Sequence, residues 1–324
     1  MYTNISLFGF KGTLGQPKYL QYITEEFTSQ GFTYSLLDLA DGSVVANVTN
    51  DNSHQYQNFG FLTTSPIDQD GTVLLFGSSN GHNQINSFTP NNNSYNALYT
   101  TTGSTYSTSI TPQPVYWDAT NKIVYGAGYS DLQHKPYGLA VAIGVYGFGR
   151  NQPSQPIIIA VPSKSAFYMY PVGAYDSTNN VYYVYFNAGN NQMIAQYSFS
   201  SGQVITKQLP NQQQTFIGVS QLYTYKGQIY LCQSVYSQSN TIWSIDFANA
   251  STKQIYQNVD KSKYQFNNNV LPFVFDQETG FILALNQLDH ALLVDYINLV
   301  GYQVTHSSLN NDPIKTFTIA VYSE

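Results

Sequence analysis

Hydrophobic and polar positions along this chain form a short recurring motif, in which two apolar runs are separated by a polar turn. A marker residue opens the turn, and the second apolar run begins five residues after it. Apolar runs rich in Val, Ile, Tyr and Phe and bounded by Asp, Asn and Gly predict β-strands joined by a tight turn. The motif occurs five times, with the marker at Asp68, Asp118, Asp176, Thr224 and Asp276.

The marker recurs about every fifty residues, a period that together with strand–turn–strand content is typical of one blade of a β-propeller. A sixth repeat is indicated near the start, where residues 34–48 match the second half of a copy with Gly42 in the turn. The sequence therefore predicts an all-β fold, a β-propeller of six four-stranded blades, with seven blades as the alternative. All-β propellers run this long as one closed unit, so residues 1–324 are predicted to form a single domain.

The clearest copy, residues 171–210, carries all four strands of a blade, here called A to D in chain order. Strand A is predicted to end at Tyr175, strand B to cover residues 181–186, strand C residues 193–199 and strand D residues 203–209. The residues between these strands are Asp, Asn, Ser and Gly, which cap turns or tolerate a positive φ.

Two segments depart from the regular repeat. An insertion over residues 144–156, rich in Gly and Pro, lengthens the region between strands C and D of the Asp118 copy and is expected to be a loop. Residues 316–323 form one further apolar run after the last full copy. We expect this run to pair with strands from the N-terminus, because such pairing closes a propeller and removes an exposed sheet edge.

Over nearly its whole length the chain resembles six-bladed β-propellers in general, such as the NHL, YWTD and gluconolactonase-like groups. No copy carries a YWTD tetrapeptide, so the resemblance implies the fold and transfers no site residue. Gluconolactonase-like propellers hold calcium with a set that includes a glutamate. Outside turns and the C-terminus this chain offers only Glu25 and Glu26 for that role, which is a departure from the pattern.

The composition excludes several classes of function. Charged residues are 9% of the chain, against about 25% in an ordinary soluble domain. The net charge is −6 and Arg150 is the only arginine, so there is no basic face to bind nucleic acid. The longest apolar stretch, residues 139–148, is too short to span a membrane. Cys232 is the only cysteine, which excludes an intrachain disulfide.

The N-terminus lacks the basic and apolar regions of a signal peptide. If Met1 is native, this favours a cytoplasmic location. The alternative is a secreted or cell-surface location, which the low charge and the abundance of Tyr, Ser, Thr and Asn favour. Glycosylation sequons are too common by chance in this composition to decide, and they occur at Asn4, Asn47, Asn92 and Asn249.

The recurring aspartates are predicted to be structural, because an Asp at the start of a turn caps it and every copy needs that cap. The connections between strands B and C differ from copy to copy, as binding loops do. Three amides and three tyrosines in these loops are suited to sugars, since amides bond hydroxyl groups and tyrosine rings stack on apolar sugar faces. These candidate ligand-binding residues are Asn83, Tyr129, Tyr137, Asn191, Tyr236 and Asn240.

The first hypothesis is therefore a non-catalytic propeller that binds a polar small molecule, a glycan or a protein partner through its B–C loops, with no cofactor. The alternative is a metal-dependent hydrolase or lyase, because imidazole and carboxylate groups in the same loops suit a divalent cation such as Ca²⁺ or Zn²⁺. The candidate metal ligands are His82, Asp131, His134, Asp289 and His290. A third hypothesis is a surface or adhesion protein whose blades only present loops.

Overall fold

The structure is a computed structural model. It describes residues 3–11, 15–26, 31–50, 57–61, 67–79, 82–100, 109–110, 116–121, 123–131, 141–149, 152–153, 157–160, 171–188, 191–210, 218–235, 239–258, 273–288 and 291–309. Within these ranges the chain forms six β-sheets, and one 3₁₀ turn covers Pro90–Asn92.

Most sheets are built from four strands that follow one another along the chain and pair in that order. Sheet 1 contains β1 (Thr3–Lys11), β2 (Pro17–Glu26), β3 (Gly31–Asp38) and β4 (Val44–Asn50). Sheet 2 contains β5 (Gln57–Phe61), β6 (Val73–Ser79), β7 (His82–Thr89) and β8 (Ser94–Thr100). Sheet 3 contains β9 (Ser109–Ile110), β10 (Tyr116–Asp118), β11 (Ile123–Asp131), β12 (Val141–Gly149), β13 (Gln152–Pro153) and β14 (Ile157–Ala160).

The second half of the chain continues the same plan. Sheet 4 contains β15 (Val172–Asp176), β16 (Val181–Ala188), β17 (Asn191–Ser198) and β18 (Val204–Gln208). Sheet 5 contains β19 (Gly218–Tyr225), β20 (Gln228–Val235), β21 (Ser239–Asp246) and β22 (Ser251–Gln257). Sheet 6 contains β23 (Phe273–Asp276), β24 (Phe281–Leu288), β25 (Ala291–Asn298) and β26 (Val304–Leu309).

The predicted four-stranded pattern is confirmed in five sheets and is wrong for sheet 3. There β10, β11, β12 and β13 pair in order, β9 pairs with β11 and β14 pairs with β12. The outer edge is split into two short pieces because Pro153 has no N–H to donate to a ladder. The insertion was also predicted as a loop throughout, whereas its first half, up to Gly149, lies in β12.

Strand predictions elsewhere are confirmed to within about two residues, the usual uncertainty of a strand end. The second halves of the first and clearest copies are β3–β4 and β17–β18, as expected. Their C–D turns carry Gly42 at φ +78° and Gly202 at φ +69°, a left-handed conformation that favours glycine. The predicted closing run, residues 316–323, lies outside the described residues.

The described residues group into two compact units. One contains sheets 1, 2 and 6 together with the ends of β20, β21 and β22 that fall within residues 234–241 and from residue 256 onward. The other contains sheets 3 and 4 and the rest of sheet 5. The prediction of a single domain stays a prediction.

Neighbouring sheets within each unit bury apolar side chains against one another. One face of sheet 1 presents Leu20 and Leu37 to sheet 6, and the other presents Ile23 and Phe32 to sheet 2. Because side chains alternate along a strand, residues of both parities must be apolar where both faces are covered. Sheet 4 follows the same rule between sheets 3 and 5.

The recurring aspartates cap their own turns, as predicted. Asp118 Oδ1 accepts the N–H groups of Thr120 (3.0 Å) and Asn121 (3.1 Å), and its Oδ2 accepts Asn121 Nδ2 (2.7 Å). Asp68, Asp176 and Asp276 accept equivalent main-chain bonds. At the fifth marker, Thr224 Oγ1 instead donates to the carbonyl oxygen of Tyr175 at 2.5 Å and ties sheet 5 to sheet 4.

The pKa of Asp118 reflects this capping. Partial burial raises the pKa, and the hydrogen bonds from Asn121 and Thr120 outweigh that effect, so the pKa lies below its ordinary value. A depressed folded-state pKa means that the stability contributed by Asp118 is present above the unfolded-state pKa. That contribution is lost as the pH falls through the folded-state value.

Replacing a buried capping aspartate should destabilise the fold. Asp176 is 2% exposed, and its oxygens accept Thr178 N–H (2.9 Å) and Asn179 Nδ2 (2.6 Å). We expect Asp176→Ala to lower the free energy of unfolding by about 1–2 kcal/mol, since both donors lose their acceptor. Urea denaturation measures this loss. Asp70→Ala, at an exposed position of the corresponding turn in sheet 2, should change stability by less than about 0.5 kcal/mol, and equal losses would contradict the capping role.

Sheets 3 and 4 approach each other closely at Gly173. The fully buried Tyr182 hydroxyl accepts the N–H of Ala127 at 3.1 Å across this contact. A methyl group on Gly173 would lie 2.4 Å from Tyr182 Cε1 and 2.8 Å from Ala127 Cβ. Only a residue without Cβ fits between these two sheets.

We expect Gly173→Ala to lower the free energy of unfolding by about 1–3 kcal/mol, because the added methyl group forces the two sheets apart. Chemical denaturation followed by tyrosine fluorescence measures this change. Gly301→Ala is the control, since a methyl group there meets no atom within 4 Å. Unchanged stability of Gly173→Ala would show that sheets 3 and 4 do not pack in this way.

Candidate functional site

The B–C ends of the sheets, where the sequence predicts a binding face, are the ends at which strands B and C are joined. In sheet 4, Ala188 pairs with Asn191, and in sheet 2, Ser79 pairs with His82. Strands B and C thus run to within two residues of each other. Most residues read from the sequence as loop positions therefore belong to strand ends, and their faces are set by the strand.

Four of the six candidate ligand-binding residues fall in strands. Asn191 begins β17 and is exposed, and its Oδ1 accepts Gln208 Nε2 at 3.2 Å. Asn240 lies in β21 and is 7% exposed, so it was wrongly assigned to a loop. Asn83 lies in β7 opposite Ser78, and Tyr129 lies in β11 opposite Ile143. The remaining candidates, Tyr137 and Tyr236, lie outside the described residues.

The candidate metal ligands are described only by their positions along strands. His82 is the first residue of β7 and Asp131 is the last residue of β11, so each stands at the B–C end of its sheet. The others, His134, Asp289 and His290, lie outside the described residues. Among the residues that the structure does describe, no three His, Cys, Asp or Glu side chains come together in a metal-binding group. The divalent metal site stays a prediction.

A cluster of neutral polar side chains lies at the B–C end of sheet 4, where that sheet packs on sheet 5. We call it the amide cluster, and its members are Tyr185, Asn187, Gln192 and Gln233. They are 2%, 4%, 1% and 7% exposed, respectively. Tyr185 Oη donates to Asn187 Oδ1 at 3.4 Å and accepts Gln233 Nε2 at 3.4 Å.

Gln192 completes the cluster. It pairs with Asn187 across β16 and β17, and residues directly opposite each other in a ladder project from the same face of the sheet. Its Oε1 is buried and has no hydrogen-bond partner. Buried amides are ordinarily satisfied, so an acceptor left open in this position calls for an explanation.

The amide cluster is electrically neutral. Burial raises the pKa of the Tyr185 hydroxyl, and the hydrogen bond from Gln233 offsets this only in part. The hydroxyl therefore keeps its proton at any physiological pH and remains both a donor and an acceptor. Beneath the cluster lie apolar side chains of the same two sheets, including Ile194, Leu222 and Leu231.

Sequence reasoning missed this cluster because it placed Asn187 and Gln192 in a loop. The strands run on to Ala188 and begin again at Asn191, so both residues belong to the sheet. A signal was present in the alternation of Tyr183, Tyr185 and Asn187, which puts the asparagine on the same face as two buried tyrosines.

A second polar group, on sheet 6, has a structural role. Asp295 is 4% exposed, and its Oδ2 accepts the hydroxyl of Tyr256 at 2.5 Å while its Oδ1 lies 2.7 Å from His306 Nδ1. Both oxygens of the buried carboxylate are thus engaged. A buried charge is tolerated when it is paired and hydrogen-bonded in this way.

The described part of the chain has no helix long and apolar enough to cross a membrane. No protein-family model matches the chain. No curated protein matches it either.

Solved structures are similar to this chain in fold. A variant of Aleuria aurantia lectin in complex with alpha-methyl-L-fucoside aligns with a TM-score of 0.60 at 8% identity, covering 96% of this chain and 96% of the lectin. An oligogalacturonate lyase in complex with manganese aligns with a TM-score of 0.52 at 11% identity, covering 94% of this chain and 77% of the lyase.

TolB from Acinetobacter baumannii aligns with a TM-score of 0.52 at 10% identity, covering 90% of this chain and 65% of TolB. The chain thus spans just under two thirds of TolB. Likeness at such low identity shows the fold alone. Taken with the repeated antiparallel sheets, it makes this chain an all-β protein with a β-propeller fold.

Proposed function

We propose that this protein is a non-catalytic β-propeller that binds a polar ligand at the B–C ends of its sheets, with carbohydrate as the ligand to test first. A protein partner is the second kind of ligand for the same face. The proposal includes the finer architecture, in which the six sheets are six blades of one domain over residues 1–324 and residues 316–323 close the ring.

The observation that carries the proposal is the distribution of polar side chains between the two ends of the sheets. At the A–B and C–D ends, Asp, Asn and Ser side chains are bonded within their own turns. At or near the B–C ends, amides are buried among strands and are not used in turns. These amides are Gln84, Asn187, Gln192, Gln233 and Asn240.

Neutral amides suit a neutral hydroxylated ligand. Each carboxamide offers two N–H donors and a carbonyl acceptor, which match the donor and acceptor capacity of sugar hydroxyl groups. The scarcity of charge is consistent with such a ligand, because a charged ligand requires an opposite charge or a metal. The similar fold of the Aleuria aurantia lectin, whose structure holds a fucoside, supports testing sugars before other ligands.

Binding should be detectable on a glycan array and should depend on the B–C ends. We expect Asn191→Ala and Asn240→Ala to weaken binding of the best array ligand by about three- to tenfold, since each removes a hydrogen-bonding amide. Asn121→Ala, in the A–B turn of sheet 3, is the matched control and should leave affinity unchanged. A pull-down with the same variants covers protein partners. Absence of glycan and protein binding, or identical binding by all variants, would refute the proposal.

The alternative proposal is a metal-dependent hydrolase or lyase. His82 and Asp131 each stand at the B–C end of their own sheet, and the sequence offers His134, Asp289 and His290 in the same class of connection. The similar fold of an oligogalacturonate lyase holding manganese is a reason to include polysaccharide substrates in the assay. Elemental analysis and thermal denaturation with added Ca²⁺ or Zn²⁺ test it, because a metal that binds only the native state raises Tm.

The two proposals differ in their pH dependence. A site of neutral amides and a protonated tyrosine contains no group that titrates between about pH 5 and 8, so its affinity should be flat over that range. A histidine metal site should lose its metal as the pH falls through about 6.5, where imidazole gains a proton. Isothermal titration across this range decides between them, and a steep loss of binding below pH 6.5 would favour the metal site.

The third proposal, a surface or adhesion protein, depends on export from the cytoplasm. Asn92 and Asn249 are exposed sequon asparagines, in the 3₁₀ turn and in the C–D turn of sheet 5. A glycan on either residue of protein from its native source, detected by mass spectrometry, would support this role. Unmodified protein recovered from the cytosol would count against it.

A further inference from the structure

The amide cluster of sheets 4 and 5 is incompletely bonded. Both hydrogen bonds to Tyr185 Oη measure 3.4 Å, at the long end of the range for a real bond. Gln192 Oε1 has no partner at all. A buried carbonyl oxygen without a donor costs free energy, because folding removes the water that bonded it in the unfolded chain. The cluster can therefore form a hydrogen bond with one more group.

The chemistry of the cluster selects that group. Gln192 Oε1 needs a donor, and the amide of Gln233 beside it already donates one N–H to Tyr185 Oη and has a second to offer. A carboxylate offers no donor, and an ammonium offers no acceptor. A hydroxyl group offers one of each, and it brings no charge into a cluster whose members are all neutral.

The position of the cluster gives the direction of approach. Asn187 is one residue from the end of β16, and Gln192 is one residue from the start of β17. The side toward the middle of the sheets is filled by Ile194, Leu222 and Leu231, which are 0% exposed. Among the residues that the structure describes, the side of the cluster that these apolar side chains leave uncovered is the B–C end, where the proposed function places binding.

We infer that the amide cluster receives a hydroxyl group of a neutral, hydroxylated ligand, with Gln192 Oε1 as the acceptor and Tyr185, Asn187 and Gln233 as its neighbours. This inference rests on the proposed function and names the side chains that perform it. With the members only 1–7% exposed, the cluster takes one hydroxyl group of the ligand, and the rest of the ligand lies outside the cluster.

The strand supplies a matched control. Gln196 lies four residues along β17 from Gln192, hence on the same face and about 13 Å away. Its Nε2 donates to Tyr183 Oη at 3.1 Å, so it is also an amide bonded to a tyrosine. Substituting either glutamine with leucine makes the same chemical change, but only Gln192 belongs to the amide cluster.

The experiment measures affinity for methyl glycosides of L-fucose, D-galactose, D-glucose and D-mannose by isothermal titration, with the wild-type protein, Gln192→Leu and Gln196→Leu. We expect at least one glycoside to bind the wild type, and Gln192→Leu to weaken it about tenfold through loss of one buried acceptor. Gln196→Leu should leave affinity within about twofold. Gln192→Leu should fold with an unchanged or higher Tm, because it replaces an unpartnered oxygen with an apolar group.

A second variant tests the tyrosine hydroxyl of the same cluster. Tyr185→Phe keeps the ring and removes the hydroxyl that joins Asn187 to Gln233. It should also weaken binding of the glycoside about tenfold.

Two outcomes overturn the inference and leave the proposed function intact. In the first, the glycoside binds wild type and Gln192→Leu equally, which means that Gln192 does not contact the ligand. In the second, Gln192→Leu and Gln196→Leu weaken binding equally, which means that the effect is not local. Failure of every glycoside to bind the wild type, with an empty glycan array, overturns the inference and the carbohydrate proposal together.

Discussion

Burial of both faces of a sheet is the constraint on which the rest of this structure depends. Sheet 1 packs on sheet 6 with one face and on sheet 2 with the other, and sheet 4 is covered on both sides in the same way. The inner strands of such a sheet cannot alternate apolar and polar residues, because neither of their faces meets water. β16 is buried at every position from Val181 to Asn187. Large tyrosine rings fill the space between packed sheets, and each buried hydroxyl then needs a hydrogen-bond partner.

In the inner strands, this constraint restricts polar side chains to the strand ends and to a few neutral residues between them. At the A–B ends, Asp118 and its counterparts accept hydrogen bonds within their own turns. Within the layers, tyrosine hydroxyls are met by amides, as with Tyr34 and Gln21 or Tyr183 and Gln196. Burial holds the pKa of Tyr34 well above its ordinary value and raises that of Tyr296 to about 12, so these hydroxyls stay neutral.

The sequence predicted the sheets well because local rules decide them. Turn residues at a fixed spacing and apolar runs between them located β15 to β18 and the caps at the marker aspartates. Sheet 3 was predicted poorly, since pairing across β12 depends on where Pro153 interrupts a ladder and not on apolar content. The amide cluster was out of reach for another reason. Its members come from three strands of two sheets, and only the packing of those sheets brings Gln233 to Tyr185.

A shift of one residue explains why Asn191 was chosen from the sequence and Gln192 was not. In a loop the two positions are equivalent, but in β17 they project from opposite faces. Asn191 is exposed and bonded to Gln208, whereas Gln192 is buried on the face toward sheet 5 with an open acceptor. An exposed amide exchanges a bond to water for a bond to the ligand and gains less, while a buried acceptor without a partner gains the full bond. The same amide chemistry therefore carries more binding free energy at Gln192 than at the residue beside it.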